Sequence, residues 1–223
     1  MQMQLKKIRW GDLGRPTPIS RDFGYNRGLP LDRYYIETFL AQRASDIHGR
    51  VLEIGDATYT RQFGQERVTH SDVLHVSEGN PAATIVGSLT DADHVPSNAF
   101  DCIVLTQTLH LIVDVHTALR TLYRILKPGG TVLATFPGIS QVSRDEWAAT
   151  WSWSFTHVSA RRLFATYFSP ECVTLTAYGN AFAATAFLHG LSVDEISRDE
   201  LDTRDPRYEM LLAVRAAKPV TTQ

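Results

Sequence analysis

The chain has little cysteine: two in 223 residues, Cys102 and Cys172, far apart and without metal-ligand spacing. That excludes a disulfide scaffold and a structural zinc cluster. Cys102 sits in an apolar run and reads as a buried free thiol, as expected of a reducing compartment. An excess of one charge is also missing. Lys and Arg number 22 against 24 Asp and Glu, a net charge of −2. This argues against a nucleic-acid partner held by bulk charge. No apolar run is long enough to span a bilayer and no signal-peptide pattern opens the chain, so no membrane partner and a cytoplasmic location are expected. Internal repeats, low-complexity linkers and a G-x-G-x-x-G run are absent too.

What is present is globular: 43% hydrophobic and 21% charged residues, enough for one domain with a sizeable core. Residues 50–64 (RVLEIGDATYTRQFG) organise it. Val51, Leu52 and Ile54 form an apolar run that ends at Gly55, which predicts a strand buried on both faces, then a glycine turn and a helix. Glu53 inside that run requires a hydrogen-bonding partner. Open α/β sheets build ligand crevices at this strand edge.

Before it, residues 1–30 are turn-rich, and their aromatics and arginines suggest packing over another surface. Tyr35, Ile36, Phe39, Leu40, Ala44 and Ile47 then recur at helical spacing, with Asp32 in the first turn. After it, residues 67–72 read as a second strand ending in Asp72, 19 positions beyond Glu53. Residues 83–87 and 102–106 read as the third and fourth strands. Asp114 caps a helix with one apolar stripe, which Lys127-Pro128-Gly129-Gly130 stops, and residues 131–136 form a fifth strand. The alternation predicts a doubly wound α/β sheet. In the last third, Ser159 is expected to cap a helix through Phe168. Residues 172–176 and 208–216 read as strands and 182–189 as a helix. Ser192 with Glu195, and Ser197 with Glu200, have capping-box spacing.

The run FDCIVLTQTLHLIVDVHTALRTLYRILKPGGTVLATFPG, with RVLEIGD before it, resembles class I S-adenosylmethionine-dependent methyltransferases over about residues 31–138. SRDFGYNRG, DRYYIE and YTRxFG are similar to a bacterial subgroup often found beside glycosyltransferases. The resemblance implies a Rossmann-like, seven-stranded sheet with an antiparallel last strand. One domain, 1–223, would comprise an N-terminal cap segment and helix (1–47), a cofactor-binding core (48–139), and an acceptor-side insertion with closing strands (140–223).

By that resemblance, Glu53, Gly55, Asp56 and Thr58 surround the methionine end of S-adenosyl-L-methionine. Asp72, with Val73 beside it, corresponds to the acid that takes the ribose hydroxyls. Ser88 and Leu89 fall where the family contacts adenine, and Thr106 and Gln107 between methionine and acceptor. His110 is the candidate base, because an imidazole titrates near neutrality. Tyr34, Trp147, Trp151 and Trp153 are candidate acceptor-side residues. The implied reaction is methyl transfer to a small molecule, a hydroxyl of a sugar or glycosylated metabolite. A sulfonium donor needs no catalytic metal, and Asp91, Asp93 and His94 read as a solvated loop.

Each residue also has a plainer reading. Glu53 can pair with Arg33 or Arg50, Asp72 can be a turn residue, His110 can simply pack, and the tryptophans can be core or lid. The run after Gly55 departs from the family's glycine-rich pattern at Ala57 and Tyr59. That keeps open a non-catalytic member of the fold, and more distantly an NAD-dependent oxidoreductase.

Overall fold

The computed structural model describes residues 9, 11–143 and 148–220. Seven strands form one sheet in the order β3-β2-β1-β4-β5-β7-β6. They are β1 (Gly49–Ile54), β2 (Val68–His75), β3 (Ile85–Val86), β4 (Phe100–Thr106), β5 (Leu126–Pro137), β6 (Val173–Tyr178) and β7 (Leu211–Ala217). The first five pair in parallel, whereas β7 runs antiparallel to both β5 and β6. This is the class I methyltransferase architecture.

Strand alternation divides the core. On β4, Ile103 and Leu105 face one side, with Leu119 and Leu122 of α2 (Val115–Ile125) and Phe164 of α3 (His157–Ala165). Cys102 and Val104 face the other, with Tyr35, Ile36 and Phe39 of α1 (Leu31–Gln42), Phe187 of α4 (Ala181–Leu188) and Leu201 of α5 (Arg198–Asp202). A sheet covered on both faces demands such near-continuous apolar strands.

The caps follow sequence closely. Asp114 accepts from the Thr117 N–H, and both anticipated capping boxes form, at Ser192–Glu195 and Ser197–Glu200. Thr156 rather than Ser159 caps α3; Ser159 is the third helical residue and completes the box. Two elements differ more. Gly55 leads not into a long helix but into a short helical turn whose regular part is Thr60–Gly64. Strand β2 does not stop at Asp72: Val73 and Leu74 stay paired with Glu53 and Ile54, so it runs on to His75. Among the described residues, no helix is long and apolar enough to cross a membrane.

Candidate functional site

The direction of strand progression reverses between β1 and β4, and the crevice at such a switch point is where open α/β sheets bind ligands. A cavity of about 1330 Å³ opens there, over the carboxyl ends of β1, β2, β4 and β5. It exceeds the roughly 300–1,000 Å³ of a pocket for one small ligand, so it has room for a cofactor and an acceptor together.

At its centre is Gly55, with φ +90°, where an added Cβ would project into open space. Bare backbone at that turn lets a ligand approach closely. Glu53 is buried behind it, and its carboxylate accepts from the N–H groups of Tyr59 (3.1 Å) and Thr60 (2.7 Å). It thereby caps the short turn. Burial pushes its carboxyl above the ordinary range, with the hydrogen bonds from the turn opposing. Asp56 and Thr58 line the same end, where Asp56 accepts from the Thr58 N–H at 2.7 Å. The departures at Ala57 and Tyr59 do not fill the crevice. Ala57 is buried, and Tyr59 packs on Phe63 and receives a hydrogen bond from Arg33 at 3.3 Å.

Ser88 and Leu89 line one flank; the Ser88 hydroxyl is shared with Thr90 at 2.8 Å. Thr106 and Gln107 line the floor at the end of β4. Gln107 has φ +45°, a strained conformation for a residue with a side chain. His110 follows on a tight turn. It is buried, its ring meets Trp151 edge-on at 4.4 Å, and burial pushes its pKa down to about 4. Gln107 Oε1, His110 Nδ1 and Trp151 Nε1 are buried without a hydrogen-bond partner among the described residues. Orphaned polar atoms along one cavity wall suit a polar ligand.

Several expected residues lie elsewhere. Asp72 does not line the cavity: it is buried within β2, three residues short of the strand's end, held by Arg50 Nε at 2.7 Å and the Thr84 hydroxyl at 3.0 Å. Val73 is buried beside it. The residues that do reach the cavity there are Leu74, His75 and Val76, because β2 is longer than its sequence suggests. Tyr34 is also outside, with its hydroxyl 2.6 Å from Asp202 and its ring under Arg198. Trp153 lines a separate shallow groove and donates to the Ile112 carbonyl at 2.9 Å. Trp147 falls outside the described residues.

The structure adds two residues to the site, one from the first turn of α1 and one from the turn-rich N-terminal segment. Asp32, in the first turn of α1, is buried and lines the cavity. Its Oδ1 accepts from the Arg33 N–H at 2.9 Å and its Oδ2 from Gln107 Nε2 at 3.2 Å. Burial pushes its carboxyl up, with the Arg33 charge opposing. Phe23 lies parallel to Trp151 (centroids 6.3 Å, planes 10° apart) and 6.2 Å from Phe187. The segment that carries Phe23 is pinned where Ile19 and Ser20 donate to the His189 carbonyl, and by the Arg27–Glu195 ion pair. For Asp32, a carboxylate in the first turn of an aromatic-rich helix was the available signal.

A methyltransferase-domain family profile matches residues 39–134. Among curated proteins, a ubiquinone/menaquinone biosynthesis C-methyltransferase of Enterobacter sp. (strain 638) is 50% identical over 87 residues, 38% of this chain and 32% of that protein. Its counterpart in Haemophilus ducreyi is 40% identical over 55 residues, 22% of this chain and 21% of that protein. The chain thus matches about a third or less of these relatives' length, and they do not point to the glycosyltransferase-associated subgroup. Among solved structures, an S-adenosylmethionine-dependent methyltransferase from Archaeoglobus fulgidus aligns with TM-score 0.55 and 11% identity, covering 83% of this chain and 94% of that one. The [4+2]-cyclase SpnF aligns equally well, with TM-score 0.55 and 16% identity over 83% of this chain and 80% of that one. The sheet order, the crevice at its switch point and the profile match agree: the chain has the class I methyltransferase fold, and its residues 39–134 are similar to the methyltransferase-domain family.

Proposed function

We propose that the chain binds S-adenosyl-L-methionine and transfers its methyl group to a small acceptor with an aromatic ring. The observation that carries this reading is the two-ended cavity, with bare backbone at Gly55 and a wall of Phe23, Trp151 and Phe187. When bound, the cofactor supplies a methyl group already activated on a positive sulfur. Gly55, Asp56, Thr58 and Thr106 would hold its amino-acid end, with Glu53 fixing the turn. Ser88 and Leu89 would hold the base.

On the acceptor side, the protein's tasks are alignment and removal of one proton. Gln107 Oε1 and the Trp151 indole N–H orient the acceptor's polar group. His110 is a weak base here, since a shift from 6.5 to about 4 makes it hold a proton roughly 300-fold less tightly. Asp32, whose carboxyl burial pushes up, takes the proton instead. The aromatic wall favours carbon or oxygen on a ring over the sugar hydroxyl suggested by subgroup resemblance. The names of the curated relatives, which specify C-methylation in quinone biosynthesis, agree with a ring acceptor.

The test has two stages, because the fold also hosts a cyclase. Calorimetric titration should show micromolar binding of S-adenosyl-L-methionine. Label transfer from methyl-labelled cofactor should then favour phenols and quinols over nucleotide sugars. Binding of neither S-adenosyl-L-methionine nor S-adenosylhomocysteine would overturn the reading.

A further inference from the structure

Parallel pairing places Ile54 opposite Leu74, which brings His75 level with Gly55 at the crevice. The connection is tight: the Gly55 N–H donates to the Leu74 carbonyl at 3.0 Å, and Asn80 donates to the Gly55 carbonyl at 2.6 Å. In nucleoside-binding α/β sheets, the end of this second strand carries an acid about 20 residues after the glycine turn begins, and its oxygens accept from ribose hydroxyls. Here β2 ends in a histidine. The carboxylate of that strand, Asp72, is three residues back and behind the sheet edge, engaged by Arg50 and Thr84. The carboxylates that line the cavity lie off β2: Asp32 and Glu37 on α1, Glu53 on β1, Asp56 in the glycine turn, Asp22 in the N-terminal segment and Asp114 at the cap of α2.

His75 is equipped for the missing task. Its Nδ1 lies 2.9 Å from the Ser77 carbonyl, and a carbonyl only accepts, so the ring proton sits on Nδ1. The contacts from the Ser77 N–H and hydroxyl to the same nitrogen are longer, 3.4 and 3.5 Å, and do not outweigh it. In the neutral ring this leaves Nε2 as the lone-pair acceptor of a residue that lines the cavity. Val76, 64% exposed and lining the cavity beside it, offers an apolar surface next to the acceptor.

We propose that His75, through Nε2, is the ribose-binding group of this chain, one neutral acceptor where the sheet family uses a two-oxygen carboxylate. The proposal rests on the methyltransferase reading and specifies its nucleoside end. A single acceptor engages one hydroxyl, so the ribose is held by fewer bonds than a carboxylate gives.

The experiment is calorimetric titration of the wild type, His75→Leu and His75→Asp with S-adenosylhomocysteine and its 2′-deoxy analogue, alongside thermal melts. The expected result is about tenfold weaker binding of S-adenosylhomocysteine by His75→Leu with an unchanged melt, a loss of about 1.4 kcal/mol. His75→Asp should bind as tightly as the wild type or more so, and should discriminate more strongly against the deoxy compound. Binding by His75→Leu within twofold of wild type would overturn the proposal and leave the methyltransferase reading intact. A wild type that binds neither compound would overturn both.

Discussion

Gln107 donates from Nε2 to Asp32 Oδ2 across 3.2 Å, joining the end of β4 to the first turn of α1 over 75 residues of sequence. The same amide leaves its oxygen buried and unpartnered among the described residues, on a backbone held at positive φ. A strained residue that lines the cavity and holds a buried carboxylate through its amide is arranged to position that carboxylate at the site.

Asp32→Asn tests that arrangement. Burial raises the Asp32 carboxyl above its ordinary 3.8, so the folded chain binds a proton that the unfolded chain has released. Ionisation therefore costs stability as pH rises from 3.8 through the folded value, and the cost persists at neutrality. Asparagine removes the charge and can still accept from Gln107. The expected outcome at pH 7 is a higher melting temperature, about 2–4 °C for each kcal/mol gained, with methyl transfer strongly reduced. The stability gain should vanish near pH 3. A variant less stable than wild type at pH 7 would contradict it.

His110 predicts the opposite pH trend. Its folded pKa is lowered to about 4 from 6.5, so the unfolded chain binds the extra proton between those values. Stability from this group is full above pH 6.5 and is lost as pH falls through the window, about 2 kcal/mol by pH 5. Urea unfolding at pH 7.5 and pH 5 should show that loss in the wild type, and His110→Phe should show correspondingly less. Equal losses in both proteins would refute the assignment.

Glu53 serves the fold as well as the crevice. Glu53→Ala strands the N–H groups of Tyr59 and Thr60, at about 1–3 kcal/mol for each buried donor. Glu53→Gln retains one acceptor oxygen and should lose less. Chemical denaturation of the three proteins gives the order wild type, Gln, Ala. An alanine variant as stable as the wild type would show that the carboxylate serves only the ligand.

The sequence by itself determined the alternation of strands and helices, the buried β1 with Gly55 after it, and the caps at Asp114, Ser192 and Ser197. These are local: periodicity and capping depend on residues a few positions apart. Only the tertiary structure decided where β2 stops, because Val73 and Leu74 extend it by pairing with β1, and that pairing moves the crevice-facing position from Asp72 to His75. The placement of Asp32 against Gln107 and of Phe23 against Trp151 was equally invisible in the sequence, since no local pattern encodes contacts across 75 and 128 residues. Tyr34 and Trp153 show the converse. Both look like ligand residues by type, yet each hydroxyl or indole N–H is already committed to Asp202 or Ile112. A residue's type sets what chemistry it can perform; the partners that the fold brings to it decide whether that chemistry is free.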